Sequence, residues 1–239
     1  MIQTGKKFPT CPASEGIHAD SPADAVRIQE MLRHHCIVDR TINISEIRRV
    51  AGADAAYHGE WVYAAIVVLT FPGLEVVEKT CTECRVTFPY IPGLFSFREG
   101  PAILEAFGTL TTDPDLIFIH GHGFAHPGRF GIASHIGVVL DVPSIGVAQH
   151  LLTGAAASPA TGRGSSEPVH DGSEVIGMAV RTVGGSKPVF VSVGHKVDLD
   201  QAVAMVLKTT VTHRITEPLW QADQLSRQCR DRTPRNLSS

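Results

Sequence analysis

Cysteine is scarce in this chain: five residues in 239, at positions 11, 36, 81, 84 and 229, an odd number in a protein too long to depend on disulfides. No apolar leader precedes them, so the expected compartment is a reducing cytoplasm. Excess charge is equally missing. Lysine and arginine number 21 against 24 acidic residues, a formal net charge of -3, which gives no global attraction to a polyanion. Nucleic-acid binding must then come from local basic patches or a bound cation. No apolar run approaches the ~20 residues that span a bilayer, so no membrane partner is expected. Internal repeats and composition breaks are absent too, and residues 1–239 read as a single domain with flexible ends at 1–20 and 230–239. What is present is core material: 43% of the side chains are apolar, enough for a globular domain.

Cys81 and Cys84 form a lone CxxC. A zinc ribbon needs a second such pair and a redox pair belongs at a helix start, whereas Thr80, Thr82, Val86, Thr87 and Phe88 favour an extended strand. On a strand the two thiols point to opposite faces, so the pair is read as structural.

Ser21 and Pro22 supply an N-cap and a first-turn residue, and Ala25, Ile28, Met31, Leu32 and Cys36 follow at helical spacing, which predicts a helix over 21–40. Strand-like runs at 47–56, 61–71 and 74–88, separated by His58-Gly59 and Pro72-Gly73 turns, predict an antiparallel meander. Beyond them the pattern alternates. A helix is predicted at 97–110, a strand at 116–119, a helix at 132–140 and a strand at 144–148. An Ala-, Gly- and Ser-rich loop fills 154–172, followed by strands near 175–182 and 189–193 and helices near 199–209 and 218–228. Three antiparallel strands followed by alternating helix and strand give an α/β domain with a mixed central sheet and flanking helices, the order of the ribonuclease H-like fold.

Four stretches are unusual for a packed core: Val50-Ala-Gly-Ala-Asp54, Phe88-Pro-Tyr-Ile-Pro-Gly-Leu-Phe-Ser-Phe-Arg-Glu-Gly-Pro101, His120-Gly-His-Gly-Phe-Ala-His-Pro-Gly-Arg-Phe-Gly-Ile-Ala-Ser-His135 and Phe190-Val-Ser-Val-Gly-His195. Together with Arg214-Ile-Thr-Glu-Pro218 they resemble the endonuclease V family over residues 47–222. The resemblance implies a metal-dependent endonuclease acting near inosine or another deaminated base in double- or single-stranded DNA, with RNA as the alternative substrate. It also implies a Mg²⁺ cofactor, held best by carboxylates, and the protein is expected to be a monomer.

Carried over residue by residue, Asp54, Glu99 and His195 take catalytic places, and Asp54 shares the metal with position 120. Tyr90, in the stiff turn Pro89-Tyr90-Ile91-Pro92, stands as a wedge that replaces lost base stacking while the deaminated base leaves the helix. Gly93 and Leu94, the glycine-rich Gly121 to Gly123, and His126 are expected to form the base pocket, since small residues let the main chain approach a flat base. Arg98 is left unassigned between a phosphate contact and a partner for Glu99.

Two positions depart from the pattern. The family's second metal carboxylate is replaced by His120, and the lysine expected after Gly146-Val147-Ala148 by Gln149. An imidazole favours transition metals, so Mn²⁺ is expected to serve better than Mg²⁺. The missing lysine removes a stabiliser of transition-state charge. The alternative reading is a catalytically impaired relative that binds damaged nucleic acid without efficient cleavage. A separate transition-metal site formed by His120, His122 and His126 is a weaker possibility, because Asp54 would have to join it.

Overall fold

The computed structural model of the protein describes residues 17–232. Most of the two ends expected to be flexible, 1–16 and 233–239, lie outside the described residues, as does Cys11. Inside that boundary Ile17 is buried in the core, and the last helix runs on to Arg232.

Among the described residues eight strands form one mixed sheet. In chain order they are β1 (Arg49–His58), β2 (Trp61–Thr70), β3 (Val76–Arg85), β4 (Leu116–His120), β5 (Ser144–Ala148), β6 (Ser166–Asp171), β7 (Glu174–Val180) and β8 (Val189–His195). Across the sheet the order is β3-β2-β1-β4-β5-β8-β7-β6. The centre, β1, β4 and β5, is parallel, and the meander and the β8-β7-β6 side are antiparallel. Of the five helices among the described residues, α1 (Pro22–Arg33) packs on α3, and α2 (Phe95–Gly108), α3 (Ile132–Leu140), α4 (Leu199–Thr209) and α5 (Glu217–Arg232) cover the sheet.

The parallel strands are apolar on both faces because helices cover both. Along β4, Leu116 and Phe118 point into the core shared with α4 and α5, while Ile117 and Ile119 point into the one shared with α2 and α3. The same alternation on β1 sends Val50 to the α5 side and Ala51 and Ala53 to the α2 side. Gly52 is required on the α5 side, where a Cβ would lie 2.2 Å from the Pro218 backbone.

Several boundaries differ from the sequence reading, and three of the differences have a clear local cause. The first helix stops at Arg33 instead of 40, as the chain tightens through His35 N–H to Leu32 and Cys36 N–H to Arg33 carbonyls. Residues 36 and 37 then serve β8: the Cys36 thiol donates to the Gly194 carbonyl at 2.8 Å, and Lys196 N–H donates to Ile37 at 2.7 Å. The third strand begins at Val76, because Leu74 adopts a φ of 56° in the preceding turn. The predicted loop 154–172 contains β6, an edge strand paired with β7 and carrying Pro168, whose sequence SEPVHD lacks an apolar alternation.

The cysteines of the CxxC lie on β3, where Cys84 donates to Glu105 of α2 at 3.0 Å and Cys81 interacts with the Cys229 thiol of α5. The two therefore face opposite sides, as strand geometry requires, and both are free thiols.

Candidate active site

At the C-terminal ends of β4 and β5 the ladder opens: β1 pairs with β4 as far as Ala53 and Ile119, and the next residues are Asp54 and His120. Open α/β sheets bind ligands at such strand ends. The parity that places Val50 and Phe118 on the α5 side places Asp54 and His120 there together. His120 Nδ1 meets Asp54 Oδ1 at 3.0 Å, and Asp54 Oδ1 also accepts the Ala55 N–H at 2.9 Å. Burial alone would lower the His120 pKa, but the Asp54 bond and charge, with Glu99 and Asp223 behind them, outweigh it and raise the ring above its usual range.

Glu99 enters from the first turns of α2 and is only 5% exposed. Burial, and then the Asp54 charge, push its carboxyl up to about 8. The Tyr57 hydroxyl is raised in turn, first by burial and then by Glu99. Arg98 lies over the Tyr57 ring at 5.0 Å and donates to the Phe88 carbonyl at 2.8 Å. It braces the approach to α2.

Asp54, Glu99, His120 and Gln149 line one cavity of ≈ 480 Å³. Gln149 is held by Arg214, whose guanidinium donates to its side-chain oxygen. Asp223 of α5, whose charge acts on His120, was not singled out in the sequence. Nothing local marks it, because an acidic residue beside Arg227 at i+4 reads as a helix-surface ion pair, which it also forms at 2.8 Å.

Two buried carboxyls that repel one another form a donor set suited to a cation, which would relieve both burial and repulsion. Among the described residues, however, no three His, Cys, Asp or Glu side chains converge as a cage. His120 is turned onto Asp54. The His120, His122, His126 cluster is likewise no metal cage, for His122 is bonded to the His150 carbonyl at 2.9 Å and His126 to that of Gly93 at 2.9 Å.

A second cavity, of ≈ 320 Å³, adjoins the first, and Phe95, Gly121 and His150 line both. Tyr90, Pro92, Gly93 and His126 line this second space, with His122, Leu151 and Leu152. Tyr90 is 67% exposed and meets Phe95 edge-on at 6.1 Å, so it stands at the rim and is not core. His126 is held neutral, its pKa lowered to about 4 chiefly by burial. With Nδ1 accepting from the Gly128 N–H at 3.0 Å, its Nε2 carries the proton and donates to Gly93.

Four predicted residues do not reach these spaces. Leu94 is buried in the core and Ile91 packs against the same cluster. Gly123 is small for a different reason than base access: a Cβ there would lie 2.0 Å from the Val193 carbonyl of β8. His195 is placed away from the centre altogether. It pairs with Ser144, at the opposite end of β5 from Val147, which neighbours His120. Three residues of strand separate the two levels, roughly 10 Å. His195 is 2% exposed, accepts the Ile37 N–H at Nδ1 and faces Asp141 at 3.4 Å, a structural tie between β8 and the chain after α1.

Parallel strands that end on Asp54 and His120, faced by the buried Glu99 of α2 and beside a cavity rimmed by an exposed tyrosine, define a ribonuclease H-like α/β protein with an acidic centre at its strand ends. A family model described as Endonuclease V matches residues 30–224. The chain is 45% identical over 206 residues to an Endonuclease V from Roseiflexus sp. (strain RS-1), covering 86% of this chain and 92% of that one. It superposes on the crystal structure of Endonuclease V from Streptomyces avermitilis with a TM-score of 0.86 at 43% identity, over 89% of this chain and 94% of that one. It also superposes on Ciona intestinalis Endonuclease V, a structure in complex with a 24mer DNA containing an inosine followed by a ribo-adenosine. There the TM-score is 0.76 at 28% identity, over 87% and 97% of the two chains. The chain belongs to the endonuclease V family.

Proposed function

We propose that this protein is a metal-dependent endonuclease that cuts a phosphodiester bond near inosine or another deaminated base in DNA. The observation that carries the reading is the junction of two cavities, one acidic and one apolar, through the shared Phe95, Gly121 and His150. A base rotated out of its stack enters the apolar cavity, and its neighbouring phosphate then lies over the carboxyls. Tyr90, exposed at the rim, fills the gap left in the stack. Pro92 stiffens that rim, and Gly121 keeps the wall between the two spaces thin.

Asp54 and Glu99 would hold a divalent ion, with His120 as the third donor. When bound, such an ion polarises phosphoryl oxygens and lowers the pKa of a water. Asp54 keeps His120 oriented at 3.0 Å, and Arg214, through Gln149, brings a guanidinium to the edge of the acidic cavity where a lysine would otherwise stand. His195 takes no part in this reading. A second reading, binding without efficient cleavage, draws on the same two pairs, because His120 is spent on Asp54 and Gln149 carries no charge.

Purified protein incubated with a labelled inosine duplex, in Mg²⁺ and separately in Mn²⁺, tests the proposal. Cleavage is expected in both, faster in Mn²⁺, since imidazole is a poorer ligand for the harder ion. Binding without cleavage in either metal supports the second reading, and neither binding nor cleavage overturns both.

A further inference from the structure

The groups expected to read the base are largely occupied within the protein. The Gly93 carbonyl accepts from His126, the Leu94 N–H donates to Ile91 at 2.9 Å, and the Gly121 N–H donates to Val147 at 3.1 Å. The Gly123 N–H donates to Ser192 at 2.9 Å, and the Gly123 carbonyl accepts from Gly131 at 2.9 Å. With most of these groups committed, a further polar group in this cavity adds to what recognition can draw on.

Gln29 of α1 supplies one. It lines the apolar cavity and is only 8% exposed. Its amide nitrogen donates to the Gly93 carbonyl at 2.9 Å and to the Phe130 carbonyl at 3.2 Å. Both partners are carbonyls, which only accept, so the nitrogen and oxygen of this amide are assigned without ambiguity. With both N–H donors committed the amide plane is fixed. The Oε1 atom accepts no hydrogen bond among the described residues, and it is not sealed off from solvent as the buried unpaired atoms Tyr57 Oη and His122 Nδ1 are. In a side chain this buried, an oxygen without a partner that solvent still reaches opens into the cavity the residue lines.

An acceptor held rigidly at that place suits one chemical feature. Deamination turns an amino-substituted ring, whose neighbouring ring nitrogen carries a lone pair, into a lactam, whose ring nitrogen carries a hydrogen. Adenine would set lone pair against lone pair at Oε1, whereas hypoxanthine donates. We propose that Gln29 Oε1 is the specificity-determining acceptor for the ring N–H that deamination creates. The assignment rests on the reading of this cavity as a base pocket. It also explains why a helix far from the acidic centre in sequence presents a buried amide there: the donor half braces the Gly93 and Phe130 turns, and the acceptor half faces the base.

The test is binding in chelator, so that no cleavage intervenes, to three labelled duplexes that differ only in one base: hypoxanthine, adenine or unsubstituted purine, the last two with a ring lone pair. Wild type, Gln29→Met and Gln29→Glu are compared, with thermal melting of each. Methionine keeps the length and loses both halves of the amide; glutamate loses the donors but keeps an acceptor. Gln29→Met is expected to bind the hypoxanthine duplex about tenfold more weakly, the worth of one hydrogen bond of about 1.4 kcal/mol, with the other two duplexes unchanged. Gln29→Glu is expected to keep more of the hypoxanthine preference than Gln29→Met even where it melts lower. Equal losses on all three duplexes, or equal loss of preference in both variants, would make Gln29 a brace only and overturn the assignment. A wild type that binds all three alike overturns the assignment and the base-pocket reading with it.

Discussion

At Glu99 the surroundings set the protonation state, and that has a measurable sign. Its carboxyl is raised to about 8 from an ordinary 4.5, by burial first and Asp54 second. Between those values the folded protein holds a proton that the unfolded chain has released, so stability falls as pH rises through the window. With chelator present, melting from pH 5 to pH 9 should show a decline of order a few kcal/mol. Glu99→Gln should flatten that decline and melt above wild type at pH 9; an unchanged slope would place the titration elsewhere. At His120 the question is ligand type. His120→Asp should raise Mg²⁺-supported cleavage of an inosine duplex above wild type, and Gln149→Lys added to it should raise cleavage further, more than additively if both act on one transition state. Flat rates in folded, duplex-binding variants would show that neither residue limits the site.

Elements carry these side chains, and two junctions between elements matter most. The start of α5 lies against Gly52 of β1, with 2.2 Å between a Cβ there and the Pro218 backbone. Gly52→Ala should therefore cost roughly 1–3 kcal/mol of stability, as overpacking does. It should also displace the helix that brings Asp223 toward His120, so cleavage should fall even below the melting temperature. The second junction is the turn before α2. Tyr90 stands free at 67% exposure, so Tyr90→Ala should leave melting nearly unchanged. It should weaken discrimination between an inosine duplex and its undamaged counterpart by about 1–3 kcal/mol, the loss of one stacked base. Measured at one salt concentration, a large drop in melting with discrimination intact would return Tyr90 to the core.

On the scale of the whole molecule, a formal charge of -3 gives no global attraction to a polyanion, and the cation proposed for the acidic centre would supply a local correction to that field. Binding to the folded state alone must also stabilise it. Mn²⁺ at a hundred times its dissociation constant should raise stability by about 2.7 kcal/mol, read as a thermal shift, and Asp54→Asn should abolish the shift. A shift that survives Asp54→Asn would put the ion elsewhere. No helix among the described residues is long and apolar enough to cross a membrane.

The periodic content of the chain determined most of the architecture by itself. Alternation on β1 and β4 and helical spacing in α3 and α4 are local properties, readable wherever both faces of an element have distinct neighbours. Asp54, Glu99, His120 and Tyr90 were legible because they sit in stretches too unlike core sequence to pass unnoticed. Strand β6 was not, since this edge strand buries only Val169 fully, and one apolar residue makes no alternation. The tertiary structure alone decided which chemistry shares a space. His195 follows a conspicuous Val-Gly and still falls at the wrong end of β5, because an antiparallel neighbour reverses the end at which its last residue emerges. Asp223 and Gln29 lie in ordinary amphipathic helices. Only the packing of α5 on β1 and of α1 on the Gly93 turn gives them their places, and no local spacing encodes a contact between residues 64 positions apart.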